Sequence, residues 1–480
     1  MVFAFAARTL RSLPAPFSVR CTALALVALI AGKSAICGAQ DYDLRAAPKA
    51  GSHQQVRVTV EIEGKLKLNA AGQEVQHVPL TARADLHYVE RMLQSGTSAA
   101  ETRLARHYYQ AEAKIRLRDS ELASKLRDER RLILLDANAD AATLFSPLGP
   151  LTRDELELIE APASSLALTA LLPKQPLKLG GQWDLEGLVV SRLLGLEAVS
   201  QQNVKCQLES AKEGIAVASL EGTVSGAVGG VSSDCELKGK LNFDLNKRVV
   251  TWLTLAIKEN RAIGHAQPGF EVLTTLKMVA APCAAAVEVN DKALSGLQTT
   301  ADSGQTLIDF TADKAGFQLL HDRRWRVMIE RHDATILRLV DRGDLISQCN
   351  ISPLPTFTKG EQLTLEGFQN DVKQALGKDF GQVIEAAQEA GEDGLIIQRV
   401  IVAGVAGELP IQWTYYHVTD DKGHRASLVF TIEGNLVERF AQIDRELVSG
   451  FRFLPDKLPT PAVAPKEVTA RNSESAPAPK

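Results

Sequence analysis

The 480-residue chain is poor in aromatic residues, at 5%, and its charges nearly cancel: 54 Lys and Arg against 58 Asp and Glu leave a net charge of −4. The balance removes the basic footprint on which nucleic-acid binding rests. The scarcity of aromatics argues against stacking platforms for bases or sugars. Cysteine is also sparse, with six in all and no Cys-x-x-Cys pair, so a zinc ribbon is excluded. No apolar run reaches the ~20 residues that a bilayer-spanning helix needs. The Gly-x-x-x-x-Gly-Lys-[Ser/Thr], Gly-x-Ser-x-Gly and His-Glu-x-x-His patterns are missing. No catalytic, cofactor-binding or metal-ligating residue is therefore assigned from sequence, and no cofactor is expected.

What remains is an ordinary globular composition, 45% apolar and 23% charged. At roughly 150 residues per domain the chain has room for two or three domains.

The N-terminus reads as an export signal over residues 1–39. Arg8, Arg11 and Arg20 precede an apolar run, Cys21 to Gly32, and no acid occurs before Asp41. At about twelve residues the run suits a signal-peptide core and is too short to cross a ~30 Å hydrocarbon layer. Cys37-Gly38-Ala39 supplies small residues for cleavage, with Gln40 as the mature start. An uncleaved anchor and a lipoprotein at Cys37 are the alternatives, and the large Ile36 disfavours the second. The mature chain is expected outside the cytoplasm, periplasmic or extracellular, without a transmembrane helix.

Four cysteines lie beyond the signal: Cys206, Cys235, Cys283 and Cys349. An even number in an exported chain invites disulfides. Cys206 and Cys235, however, alternate with apolar residues on strands separated by a third strand. That places them about 9.5 Å apart, beyond the ~7 Å Cα limit for a bridge. Both are expected as buried small hydrophobes.

Residues 50–285 alternate with period two. Val56, Val58, Val60, Ile62, Leu66 and Leu68 face one way, and Arg57, Thr59, Glu61 and Glu63 the other. The pattern recurs over His77–Tyr88, about Leu104–Arg118, a strand ending at Arg131–Leu135, and then 202–209, 215–224, 231–245, 249–261 and 270–279. This gives nine strands. Between the two groups the period changes: Thr152-x-x-Glu155 is a capping box, Pro162 and Pro173 end two short helices, and Val189 to Leu196 form a third. The expected fold is an antiparallel β domain, a curved sheet, half-barrel or barrel, whose inserted helices cover its apolar face. That face either serves as plain core or holds an apolar ligand.

Residues 286–305 read as a linker, and 306–455 as an α+β sandwich around an antiparallel sheet. Strands are expected at 317–321, 325–331, 335–340, 346–351, 383–390, 395–403, 410–418 and 424–432, with a last one through Phe451 and Phe453. Helices are expected over about 362–376 and 435–448. A four-residue turn at Asp420–Gly423 sets Trp413 opposite Phe430, Tyr415 opposite Leu428 and His417 opposite Ala426, with Ile411, Trp413 and Tyr415 on one core face. The tail, 456–480, is rich in Pro, Ala and Ser and reads as disordered.

The Gly316-Phe317…His321-x-x-x-Trp325 opening, the central helix, the long antiparallel sheet and the penultimate helix before a closing strand resemble the PsbP-like fold. That resemblance covers about 150 residues and implies an α/β/α sandwich with a binding or assembly role. The strand pattern of the first domain resembles the half-barrel carriers of lipoprotein localisation. Neither carries a site motif.

The scattered histidines do not form a metal site by spacing. His77 and His87 lie about 33 Å apart along one strand. His321-Asp322 reads as a turn rather than a dyad. His417 and His424 flank a hairpin that also holds Asp420 and Asp421, a polar turn before it is a metal site. His265 sits in the loop Gly264–Gly269, where a binding role competes with plain turn chemistry. Asp154-Glu155 complements a helix dipole, and Arg130-Arg131 and Arg323-Arg324 read as solvated edges. The expectation is an exported, non-enzymatic binding or scaffold protein for an unknown protein or apolar ligand. A carrier using the concave β face is the alternative, and a hydrolase is a lesser one.

Overall fold

The computed structural model describes residues 40–455, apart from 48, 69–73, 96–101, 138–141, 163–164, 359–360 and 392–393. The expected signal segment 1–39 and tail 456–480 lie outside the described residues.

The front half is one antiparallel sheet of thirteen strands among the described residues. Its outgoing wing is β1 (His53–Leu68), β2 (Gln76–Gln94), β3 (Thr102–Leu117), β4 (Ser120–Lys125), β5 (Leu132–Ala137) and β6 (Ala142–Phe145). Its returning wing is β7 (Gln182–Asp184), β8 (Ala198–Gln202), β9 (Lys205–Lys212), β10 (Ile215–Val228), β11 (Val231–Asp244), β12 (Val249–Arg261) and β13 (Gly269–Pro282). The order β6-β5-β3-β2-β1-β13-β12-β11-β10-β9-β7 puts the first and last strands side by side at the centre, and the sheet is not a closed barrel. The alternation read from sequence explains the faces: Val56, Val60 and Leu66 are at most 2% exposed while their neighbours meet solvent.

Three helices fill the space between the wings: α1 (Arg153–Ile159), α2 (Ser165–Ala170) and α3 (Gly187–Leu194). The capping box at Thr152 and Glu155 is formed as expected. Leu156, Leu158, Leu168, Val190 and Leu193 join the sheet's inner face in a single apolar cluster. Burial of each such side chain is worth about 1.5–3 kcal/mol, so the insert is part of the core rather than an attachment. Thirteen strands replace the nine expected. The four additional ones, β4, β6, β7 and β8, are three to six residues long, too short for alternation to register.

Cys206, Cys235 and Cys349 are buried free thiols and Cys283 is exposed. Cys206 pairs with Leu220 and Cys235 with Val224 on the intervening β10, so the separation by one strand holds. Burial pushes both thiols up to about 12 and holds the Cys349 thiol well above its ordinary value. Native-state alkylation at pH 8 is expected to label Cys283 and to spare the other three of this set. Peptide mapping that finds Cys206 or Cys235 modified before unfolding would contradict this core.

The stretch 286–305 is not a free tether. It carries a 3-10 turn, Val287–Val289, and a one-turn helix, α4 (Asp291–Leu294). Val289, fully buried, packs on Val89, Ala105, Leu134 and Phe145 on the outer face of the sheet. Arg91 fixes it through the Val289 carbonyl at 3.1 Å and Asp291 at 2.6 Å.

The rear half holds a small sheet, β14 (Ile308–Ala312), β15 (Phe317–His321) and β23 (Phe451–Phe453), beside a seven-stranded one. The larger sheet comprises β16 (Trp325–Glu330), β17 (Thr335–Asp341), β18 (Asp344–Leu354), β19 (Phe380–Ala390), β20 (Ile396–Ala406), β21 (Leu409–Thr419) and β22 (Arg425–Glu433). Helix α5 (Leu365–Leu376) packs Phe368 and Val372 on Val400 and Val402. On the opposite face α6 (Val437–Phe440) and α7 (Ile443–Ser449) pack Phe440 and Leu447 on Phe430 and Leu428. The single second helix expected is broken at Ala441, whose φ is +41°.

One register needs correction. Trp413 faces Thr431, Tyr415 faces Val429 and His417 faces Ser427. The loop has five residues, because Asp420 Oδ1 accepts from the amides of Lys422 and His424 and draws His424 into the turn. Trp413 and His417 are buried, Tyr415 joins the α5 cluster, and Tyr416 and Val418 serve the other core.

The halves are joined largely through arginines donating to backbone. Arg153 reaches the carbonyls of Arg323 at 2.6 Å and Trp325 at 3.3 Å. Arg323 reaches those of Leu144 at 2.6 Å and Thr306 at 2.8 Å, so it is a structural tie and not a solvated edge. Arg127 bridges Glu155 and Asp309. The β10–β11 and β17–β18 hairpin tips also meet: a Cβ on Gly230 (φ +70°) would lie 1.9 Å from the Gly343 Cα. Gly230→Val is therefore expected to push the tips apart and cost about 1–3 kcal/mol. The readouts are a lower urea midpoint and new protease cuts near 300–306. An unchanged midpoint and digest would refute this contact.

Candidate binding cleft

The helices do not fill the sheet's apolar inner face to its end. Where β12 turns into β13, a cleft of about 660 Å³ opens between α1, α3 and the sheet, within the ~300–1,000 Å³ typical of small-molecule sites. Its floor is apolar: Val60, Ile62, Phe270, Val272, Ile159 and Leu196 line it, each at most 6% exposed. Leu188, on α3, stands exposed at the mouth.

The rim is charged. Arg153, Arg192, Arg261 and Arg326 supply four cations. Glu157, Glu160, Glu197 and Glu259 supply four carboxylates. Arg326 pairs with Glu157 at 3.5 Å, and Arg261 pairs with Glu259, which Ser233 also holds. The Arg261 guanidinium lies 4.8 Å from the centre of the Phe270 ring, which joins rim to floor. Glu197 accepts from the Gly229 amide at 2.7 Å.

A smaller pocket of about 400 Å³ adjoins it at the junction of the halves and shares Arg153, Glu157, Gln267 and Arg326. His321, 3% exposed, lines it with Trp325. Burial depresses the His321 imidazole to about 4, reinforced by the nearby cations Arg153 and Arg326 and opposed by its Nδ1 contact to the Asp322 carbonyl. His321 is thus a neutral, buried group at a seam.

The other histidines stay apart. His77 is exposed and His87 contacts Gln55. His265 is exposed, and its carbonyl accepts from Arg338 across the junction. His417 accepts from Arg425 Nε at 2.9 Å and lies between Phe357 and Phe368. His424 binds Asp420 at 2.6 Å and lies against Phe453. Among the described residues no group of three or more His, Cys, Asp and Glu is placed to hold a metal ion. Glu155 is engaged by Arg127 and the helix cap, while Asp154 lines the junction pocket. Arg130 donates to Pro150 O, and Arg131 pairs with Asp128.

Sequence reasoning missed two buried ion clusters. Glu90 and Arg106 face each other across β2 and β3 at 2.8 Å, both under 4% exposed. Asp444, fully buried, accepts from Arg399 at 2.6 Å and Tyr416 at 2.8 Å. A charged residue continuing an apolar strand face was the available signal for Glu90, since the strand runs past Tyr88.

Among the described residues no helix is long and apolar enough to cross a membrane. No family model matches the chain, and no curated protein matches it. Among solved structures, the PsbP protein CyanoP of Synechocystis sp. PCC 6803 is 15% identical, over 33% of this chain and 98% of its own, with a TM-score of 0.24. Lipovitellin, from a study of its lipid–protein interactions, is 8% identical over 70% of this chain and 32% of its own, with a TM-score of 0.27. The translocator domain of the autotransporter NalP from Neisseria meningitidis is 9% identical over 80% of this chain and 88% of its own, with a TM-score of 0.13. The chain thus spans about a third of lipovitellin's length, and the likeness to each is weak.

Proposed function

We propose that this is an exported, non-catalytic binding protein whose front half holds an apolar ligand in the cleft between helices and sheet. One observation carries the reading. The inserted helices seal most of the inner face but leave an oily floor of buried Val, Ile and Phe beneath a rim of paired charges. Apolar surface shielded from water but reachable from a mouth is the arrangement small-molecule sites share. Neither buried ion cluster contributes a residue to the cleft: Glu90 is held by Arg106, and Asp444 Oδ2 by Arg399 and Tyr416, with Asp444 Oδ1 left without a partner. The rear half, tied to α1 by Arg153 and Arg326, contributes Arg326 to the lining.

The test is organic extraction and native mass spectrometry of the protein purified from its own host, beside an Ala161→Trp variant. Ala161 is half-buried and lines the cleft beside the main core, so an indole there takes up cleft space, and an unchanged urea midpoint checks that the fold is kept. A co-purified apolar species present in the native protein and reduced at least fivefold in the variant is expected. A clean protein mass, with a stable protein partner recovered instead, would favour the scaffold reading.

A further inference from the structure

Building on that ligand-binding reading, we propose that the cleft takes an amphiphile with one hydrocarbon chain and a zwitterionic head group. The volume sets the chain number. At about 30 Å³ for a water-sized group, 660 Å³ holds on the order of twenty such groups. That is one long chain, not two chains and a head.

The rim sets the head group. Four arginines face four glutamates, and almost every wall carries both signs. Helix α1 brings Arg153 with Glu157 and Glu160. Helix α3 brings Arg192, with Glu197 just beyond its end. Strand β12 brings Glu259 and Arg261 together. An anionic head near any arginine also approaches a carboxylate, and a cationic head meets the converse penalty. An uncharged head strips water from the rim without replacing its contacts. A head carrying a phosphate and an ammonium matches both signs in one orientation. Specificity here comes as much from repelling single charges as from attracting paired ones.

The experiment uses the full mature chain with N-phenylnaphthylamine as a fluorescent reporter of the apolar floor. It is displaced below micellar concentration by four sixteen-carbon probes: lysophosphatidylcholine, palmitate, cetyltrimethylammonium and monopalmitoylglycerol. Lysophosphatidylcholine is expected to displace the reporter at a concentration at least tenfold below the other three. Glu160 is solvent-accessible at the end of α1, and burial and the neighbouring Glu157 raise its carboxyl while Arg323 and Arg153 oppose them. Glu160→Lys therefore reverses one charge of the lining, with the urea midpoint as the check on the fold, and it is expected to move the preference at least fivefold toward palmitate. Palmitate or the cation matching lysophosphatidylcholine on the native chain overturns the head-group assignment alone. An unmoved order in Glu160→Lys does the same. If the reporter does not bind, or binds equally to Ala161→Trp, the cleft reading fails and this inference falls with it.

Discussion

Replacing Arg106 by Met is expected to lower folding stability by about 3–5 kcal/mol, the range for breaking a buried ion pair from one side. The Arg106 guanidinium donates to Glu90 at 2.8 Å and to Ser165 at 3.0 Å. Glu90 also accepts from Ser165 at 2.5 Å and from Gln54 at 2.7 Å. The guanidinium lies 5.0 Å from the centre of the Tyr88 ring, inside the sheet's main core. Removing the cation leaves a carboxylate with two neutral donors and no counter-charge, where water cannot reach it. The double variant Glu90→Leu, Arg106→Met removes both charges and is expected to recover more than half of the loss. Urea unfolding of the two single variants and the double gives the coupling directly. A coupling below about 1 kcal/mol would mean that the pair is solvated and the inner face is not sealed there. Because Ser165 begins α2, the same network anchors the helical insert to the outgoing wing. The loss should therefore reach the cleft, whose edge is Ala167 of that helix.

The long strands were legible because alternation over eight or more residues admits one structure. The front half's β1, β2 and β9 to β13 follow their apolar positions closely, and the capping box and proline stops locate the insert. Legibility ended where local chemistry was not periodic. The β21–β22 register moved by one residue because a single carboxylate, Asp420, captures two amides and enlarges the turn. Val289 docked a segment that composition marked as linker, an effect of one apolar residue finding a matching surface. Arg323 and Arg153 bind backbone carbonyls, acceptors that carry no sequence signature. The cleft was foreseen only as a concave apolar face. Its rim draws on residues 153 to 326, and no spacing rule gathers those.

Stability is expected to fall as pH is lowered from about 6.5 toward 4, with buried histidines leading the fall. His321 has an ordinary imidazole value near 6.5 when unfolded and about 4 when folded, chiefly through burial. The unfolded chain therefore binds the extra proton across this window, and stability rises with pH there. The contribution is fully present above 6.5 and gone near 4. It amounts to roughly 3 kcal/mol for His321, at about 1.4 kcal/mol per pH unit within the window. His417 is displaced the same way, to about 4, by burial and then by the Arg425 cation that donates to it. His87 and His107 shift downward too, by partial burial on the outer face. Glu155, held low by Arg127 and by the Thr152 and Arg127 amides against the effect of burial, loses its contribution only at more acidic pH. Urea midpoints should be level from pH 7.5 to about 6.5 and fall from there to 4.5, and His321→Gln should remove about one proton's worth of that slope. A flat profile above pH 5 would show that His321 is hydrated, and hence that the seam joining the two halves admits water. The expected slope links the seam to function, since His321 lines the pocket that shares Arg153 and Arg326 with the cleft. Protonating it adds a third cation beside two arginines, and the wall those arginines form should loosen before the sheet itself unfolds.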